Sequence, residues 1–172
     1  MFEAIKLPAW LRRRQERMVV RGFFRVQIAD PDKGIVGDSG WIQNQITNLG
    51  RQDFLCALLG NTTGSKQVTH MALGSGTAPG AAATSLNLEL TGTSTGREAV
   101  AVSINASTAV QFAATFDSDN ITAAVAALSN IGLFATSAVT TGTLFAGNTF
   151  ASSAYATNQA VQASYVISFA TS

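Results

Sequence analysis

Hydrophobic and polar residues alternate along much of this chain with a period of two. In "GFFRVQIAD", Phe24, Val26 and Ile28 alternate with Arg25, Gln27 and Ala29, the pattern of a half-buried strand. Val100, Val102 and Ile104 alternate with Ala101, Ser103 and Asn105, and Val110, Phe112, Ala114 and Phe116 with Gln111, Ala113, Thr115 and Asp117. Val161, Ala163, Tyr165, Ile167 and Phe169 repeat the pattern near the C-terminus. "WIQNQIT" reads as one further strand, and "DPDKG" and "GDSG" carry turn chemistry. Leu73 is expected to end a strand, the loop Gly74–Ser85 to reach out, and Leu86, Leu88 and Leu90 to start an alternating return to the core.

The period changes once. Asn48 is placed to cap a helix through "LGRQDFLCALLG", with Phe54, Leu55, Leu58 and Leu59 on one side and Gly60 as its stop. The fold expected is mainly β: an antiparallel β-sandwich, jelly-roll-like, with one short helix and an N-terminal arm. Residues 1–20 form the arm and 21–172 the single sandwich domain. In the arm, Pro8 suits the first turn of a short helix with Trp10 and Leu11 on its apolar side. A helix of that length is unstable alone and needs a surface to lie on.

Charge sharpens this picture. Only 12% of the residues are charged, about half the usual share. Residues 1–35 carry eight bases and four acids, a net of +4; the remainder carries three bases and six acids, a net of −3. After Arg97 there is no Lys, Arg or His, and the only acids are Glu98, Asp117 and Asp119. Outward positions filled by Ser, Thr, Ala, Gln and Asn leave strand edges poorly protected and favour association. A basic head and an acidic-to-neutral body suit contact between neighbours.

Few residue types for chemistry remain, so no enzyme, cofactor or metal site is expected. The single Cys56 excludes an intramolecular disulfide and a cysteine zinc site, and the single His70 excludes a multi-histidine site. "LGSGTAPG" lacks the Lys-Ser/Thr of a phosphate loop, and the paired carboxylates of "DPD" and "DSD" belong to turns. The Arg12–Arg14 run lacks interleaved aromatic residues, so direct nucleic-acid binding is not expected. "ITAAVAALSNIGLFATSAV" would set Asn130, Gly132 and Thr136 against lipid, so no membrane span is expected. The first twenty residues lack the order of a signal peptide.

Three segments, "NQITNLGRQDFLCALLG", "VTHMALGSGTAPGAAATSLNLELTG…R" and "NIGLFATSAVTTGTLFAGNTFA" closing on "SYVISF", together resemble a group of tailed-bacteriophage virion proteins over about residues 40–170. The chain departs from that group at Asn130, where an acid is common. The resemblance implies a virion structural protein, most like a capsid decoration (cement) protein made in the host cytoplasm and placed on the capsid surface. Its expected partners are the major capsid protein and neighbouring copies in a homotrimer. Trp10, Leu11, Arg12, Arg13 and Arg14 are the expected partner-binding residues, an aromatic anchor with cations around it. A tail, neck or baseplate component is the alternative within the virion, and a carbohydrate-binding β-sandwich module the alternative outside it.

Overall fold

The first and last strands form the spine. In the computed structural model, which describes residues 18–56, 66–90, 96–106, 108–117, 125–139, 141–156 and 158–171, β1 (Met18–Asp30) lies antiparallel to β11 (Ala160–Thr171). The two pair without interruption from Met18↔Thr171 to Ala29↔Ala160. Their alternation puts Phe24, Val26, Ile28, Val161, Ala163, Tyr165 and Ile167 on one buried face.

Around this spine the chain builds two antiparallel sheets, and the fold is a β-sandwich with one short helical segment. The first sheet also contains β2 (Gly34–Asp38), β3 (Ile42–Gln43), β7 (Ala101–Ala106) and β8 (Ala109–Phe116). Its order is β2-β1-β11-β8-β7, with β3 paired to β1. The second contains β4 (Gln45–Ile46), β5 (His70–Gly74), β6 (Arg97–Ala99), β9 (Val125–Phe134) and β10 (Leu144–Tyr155), in the order β4-β10-β9-β5-β6.

Large apolar side chains from both inner faces fill the space between the sheets. Phe24 stacks on Tyr165 at 5.4 Å between ring centres and meets Phe150 edge-on at 6.2 Å. The Tyr165 hydroxyl reaches across to donate to the Ile131 carbonyl at 3.5 Å. Burial pushes the Tyr165 phenol well above its ordinary range. Gly132 admits the close packing expected of it, since a Cβ there would lie 2.7 Å from Leu144 Cδ1.

Several expectations are corrected by this geometry. "WIQNQIT" is two strands in different sheets. Asn44 is buried between them, and its backbone N–H donates to the Gly22 carbonyl at 2.9 Å. The helix cap is Thr47 rather than Asn48. The buried Thr47 Oγ1 accepts from Gly50 N at 2.9 Å and donates to the Leu144 carbonyl. The helical segment Gly50–Cys56 follows with the wider spacing of a π-helix. Gly50 is required there, since a Cβ would lie 2.1 Å from the Phe145 carbonyl oxygen. Phe54 then packs on Phe145 at 5.1 Å between ring centres. Leu58, Leu59 and Gly60 lie outside the described residues.

The alternating return expected at Leu86, Leu88 and Leu90 is not a strand. Leu86 is buried, but Leu88 has φ +47° and is 67% exposed, and the segment makes a single bridge, Gly74↔Glu89. A left-handed residue turns the chain out of register. The β1 strand begins at Met18, three residues before the expected domain boundary at Arg21; residues 1–17 lie outside the described residues.

Candidate interaction surface

The sandwich does not close along the β7 margin. β7 pairs with β8 through Val102↔Phe112 and Ile104↔Val110. Directly opposed residues share a face, so Val102 and Ile104 belong to the inner face of the first sheet. Among the described residues no opposing strand reaches that far, and the two side chains remain 57% and 78% exposed. The alternation expected here does form a strand, but alternation gives the face, not its cover. Beside them runs a groove of about 370 Å³ lined by Val110, Phe112, Ile167 and Phe169 from one sheet and Phe54, Val68 and Phe145 from across it. Lys66 stands on the wall, its ammonium donating to Asp53 and to Thr143 Oγ1, each at 2.7 Å.

The opposite margin of the same sheet is charged. Asp38 at the end of β2 accepts from Arg25 Nε at 2.9 Å, from Arg25 Nη2, from Gln27 Nε2 at 3.1 Å and from Gly40 N at 2.9 Å. The Arg25 guanidinium, with Gly40 N adding to it, holds the Asp38 carboxyl well below the usual carboxylate range. A register shift between Ile28 and Ala29 also twists this margin. Ile35, Val36 and Trp41 are exposed among these charges. Asp30, in the turn, accepts from the backbone N–H groups of Asp32 at 3.0 Å and Lys33 at 3.2 Å, which lowers its pKa. "DPD" is therefore turn chemistry, as its sequence implies.

A second ion pair lies near the β7 margin but is hidden. Arg97 on β6 donates from Nε to Glu89 Oε1 at 2.5 Å and from Nη2 to Glu89 Oε2 at 2.9 Å. Its Nη1 donates to the carbonyls of Thr136 at 3.1 Å and Thr141 at 2.9 Å. The guanidinium carbon lies 3.6 Å from the centre of the Phe134 ring. Both side chains are 1% exposed or less. The pair pins the loop after β5 and the loop after β9 to β6. Asn130 does similar work nearby, donating its amide to the carbonyls of Asn87 at 2.8 Å and Thr77 at 3.2 Å.

Next to Arg97 on β6, Glu98 is held above the ordinary carboxyl range, first by burial and then by the charge of Asp117. The outer face of the first sheet beyond β1 is uncharged: Gln162, Ser164 and Ser168 on β11, and Gln111, Ala113 and Thr115 on β8.

The expected partner-binding residues Trp10, Leu11, Arg12, Arg13 and Arg14 lie outside the described residues. The structure instead brings together a groove that the sequence did not single out; its only trace there was a strand of β-branched residues with small polar neighbours. His70 sits on β5 with Nδ1 2.8 Å from Thr69 Oγ1, its pKa lowered by burial and by Arg97. Among the described residues no group of three or more His, Cys, Asp or Glu could hold a metal ion, and no helix is long and apolar enough to cross a membrane. No family model, no curated protein and no solved structure matches this chain.

Proposed function

We propose that this protein is a structural subunit of a tailed-phage virion, a decoration protein that binds the outer shell and stabilises contacts between capsomers of the major capsid protein. The observation that carries this reading is the uncharged outer face of the β11–β8 sheet beside an unguarded apolar margin. Such surfaces are poor in solvent and good between neighbours. Copies joined to the shell and to each other, as trimers, gain strength from many weak contacts acting together. The N-terminal segment, with Trp10 and Leu11 as anchors and Arg12, Arg13 and Arg14 around them, extends the contact to a neighbour.

The test is to mix the purified chain with expanded, undecorated capsids and count bound copies by cryo-EM. Hundreds of copies per particle are expected. Three to a few tens, at the tail or neck, would move the protein there, and absence of binding at any salt would reject the reading. Thr115→Lys and Ser164→Lys place an unpaired charge on the uncharged face. Each is expected to reduce the assembled mass in sedimentation, because burying that charge costs several kcal/mol.

A further inference from the structure

A second cavity opens where the chain crosses from one sheet to the other. It holds about 400 Å³ and is lined by Val19, Val20 and Arg21 at the start of β1, by Asn44 and Ile46 at the crossing, and by Arg51 in the helical segment. No acid lines it among the described residues. Both arginines are exposed. Among the described residues neither forms an ion pair, whereas Arg25, Lys66 and Arg97 each hold an acid. Arg51 gives one bond from Nη2 to Asn48 Oδ1 at 2.5 Å. Two guanidinium groups without an acid at one cavity fit an oxyanion, a carboxylate or a phosphate.

Two further observations favour a peptide as its carrier. The first is a bare strand edge. On the side of β1 away from β11, β3 pairs with Phe23 and Phe24, and Asn44 N donates to the Gly22 carbonyl. Beyond that point, among the described residues, no strand covers Met18–Arg21 on this side. An extended peptide adds to such an edge through its backbone, and neighbouring pockets select its side chains. The second is the Asn44 amide. Asn44 is 8% exposed, and its Oδ1 and Nδ2 are buried without a hydrogen-bond partner. Tyr165 lies close enough to feel the amide, yet its hydroxyl donates to Ile131. The amide fits tightly over Gly22, where a Cβ would lie 1.9 Å from Oδ1. Nδ2 needs an acceptor and Oδ1 a donor, and a buried amide left empty is costly. A phosphate or a lone carboxylate only accepts, whereas a peptide unit does both. One water takes about 30 Å³, so the cavity has room for a side chain with its peptide unit.

We infer that this cavity binds an extended acidic peptide segment of a protein partner, which adds along Met18–Arg21 beside β3, sets a carboxylate against Arg21 and Arg51, and pairs a peptide unit with the Asn44 amide. The inference goes beyond the shell reading, and its test needs no capsid. The blocked peptide acetyl-Glu-Glu-Glu-amide is titrated into the isotope-labelled full-length chain and followed by NMR. Saturable shifts of the Asn44 side-chain amide signal and of the Arg21 and Arg51 Nε–H signals are expected. Arg21→Gln and Arg51→Gln change exposed side chains, and each is expected to weaken binding about tenfold at low salt, the difference shrinking as salt rises. Arg25→Gln, whose guanidinium already serves Asp38, is expected to leave the affinity within about twofold. Acetyl-Gln-Gln-Gln-amide is expected to bind about tenfold more weakly than the acidic peptide.

An Asn44 signal that stays fixed while the arginine signals move overturns the inference, because the acids then only gather on a positive surface. So does inorganic phosphate that moves the Asn44 signal at lower concentration than the peptide, which would make this a site for a free anion. So does equal binding of the neutral peptide, or no saturation by the acidic one in the millimolar range. A protein that decorates shells but ignores the peptide loses only the inference; one that binds the peptide but never decorates loses only the shell reading.

Discussion

The two margins of the first sheet handle their exposed backbone in opposite ways. At β2 an ion pair is on the surface: Arg25 and Asp38 stand on neighbouring strands, and a bulge bends the edge away. At the β6–β7 margin the ion pair is inside: Arg97 and Glu89 spend their charge on two loops, and the surface is left to Val102 and Ile104. Where a pair is placed decides what it does. An exposed pair contributes little stability but repels unwanted strands. A buried pair fixes local geometry and leaves the edge bare. One sheet thus has a guarded side and a bare side.

The comparison is sharpest at Arg97. Arg97→Ala leaves the Glu89 carboxylate buried without its partner, and a loss of about 3–5 kcal/mol is expected in denaturant unfolding. Next is Val102→Lys. Because Val102 is exposed, the isolated domain should lose no more than about 0.5 kcal/mol, while self-association weakens tenfold or more. If sedimentation shows the parental mass, the β7 margin is not an interface. Asp38→Asn acts on the other side. Its pKa is lowered in the fold, so its contribution is present at neutral pH and fades as pH falls below about 4. The variant should melt slightly below the parent at pH 7, the gap closing in acid or high salt. Glu98→Gln has the smallest effect and the opposite sign. Burial and Asp117 raise the Glu98 pKa, so its ionised form weighs against the fold above about pH 4.3. In dilute solution the variant should melt slightly higher at pH 7, and the gain should vanish as pH drops below that value.

Much of the fold was legible because a strand buried on one face writes its period into the sequence, as β1 and β11 do at Phe24–Ile28 and Val161–Ile167. What could not be read is what covers a face. Val102 and Ile104 look in sequence like Val161 and Ala163, yet one pair is at the margin and the other at the centre. The Arg97–Glu89 pair was hidden for a related reason: seven residues of Gly, Ser and Thr-rich chain separate two ordinary charges, and only the fold closes them into one buried contact. The single strand expected over "WIQNQIT" failed because Asn44 marks a crossing between sheets, and nothing in a seven-residue pattern reports a change of layer.

The uninterrupted pairing of β1 with β11 also sets a clock. The central pair of the sheet joins Met18–Ala29 to Ala160–Thr171, so on the ribosome β1 must wait for β11 to be made. Non-local pairing of this kind is slow to nucleate and leaves strands uncovered meanwhile. The inner-face residues Phe24, Val26 and Ile28 stay without their β11 neighbours until then. Nascent chains crowded on one message therefore run their greatest risk of joining wrongly before β11 emerges, and a shortage of holding chaperones should lower the yield of this protein more than that of a sandwich whose central strands are neighbours in sequence.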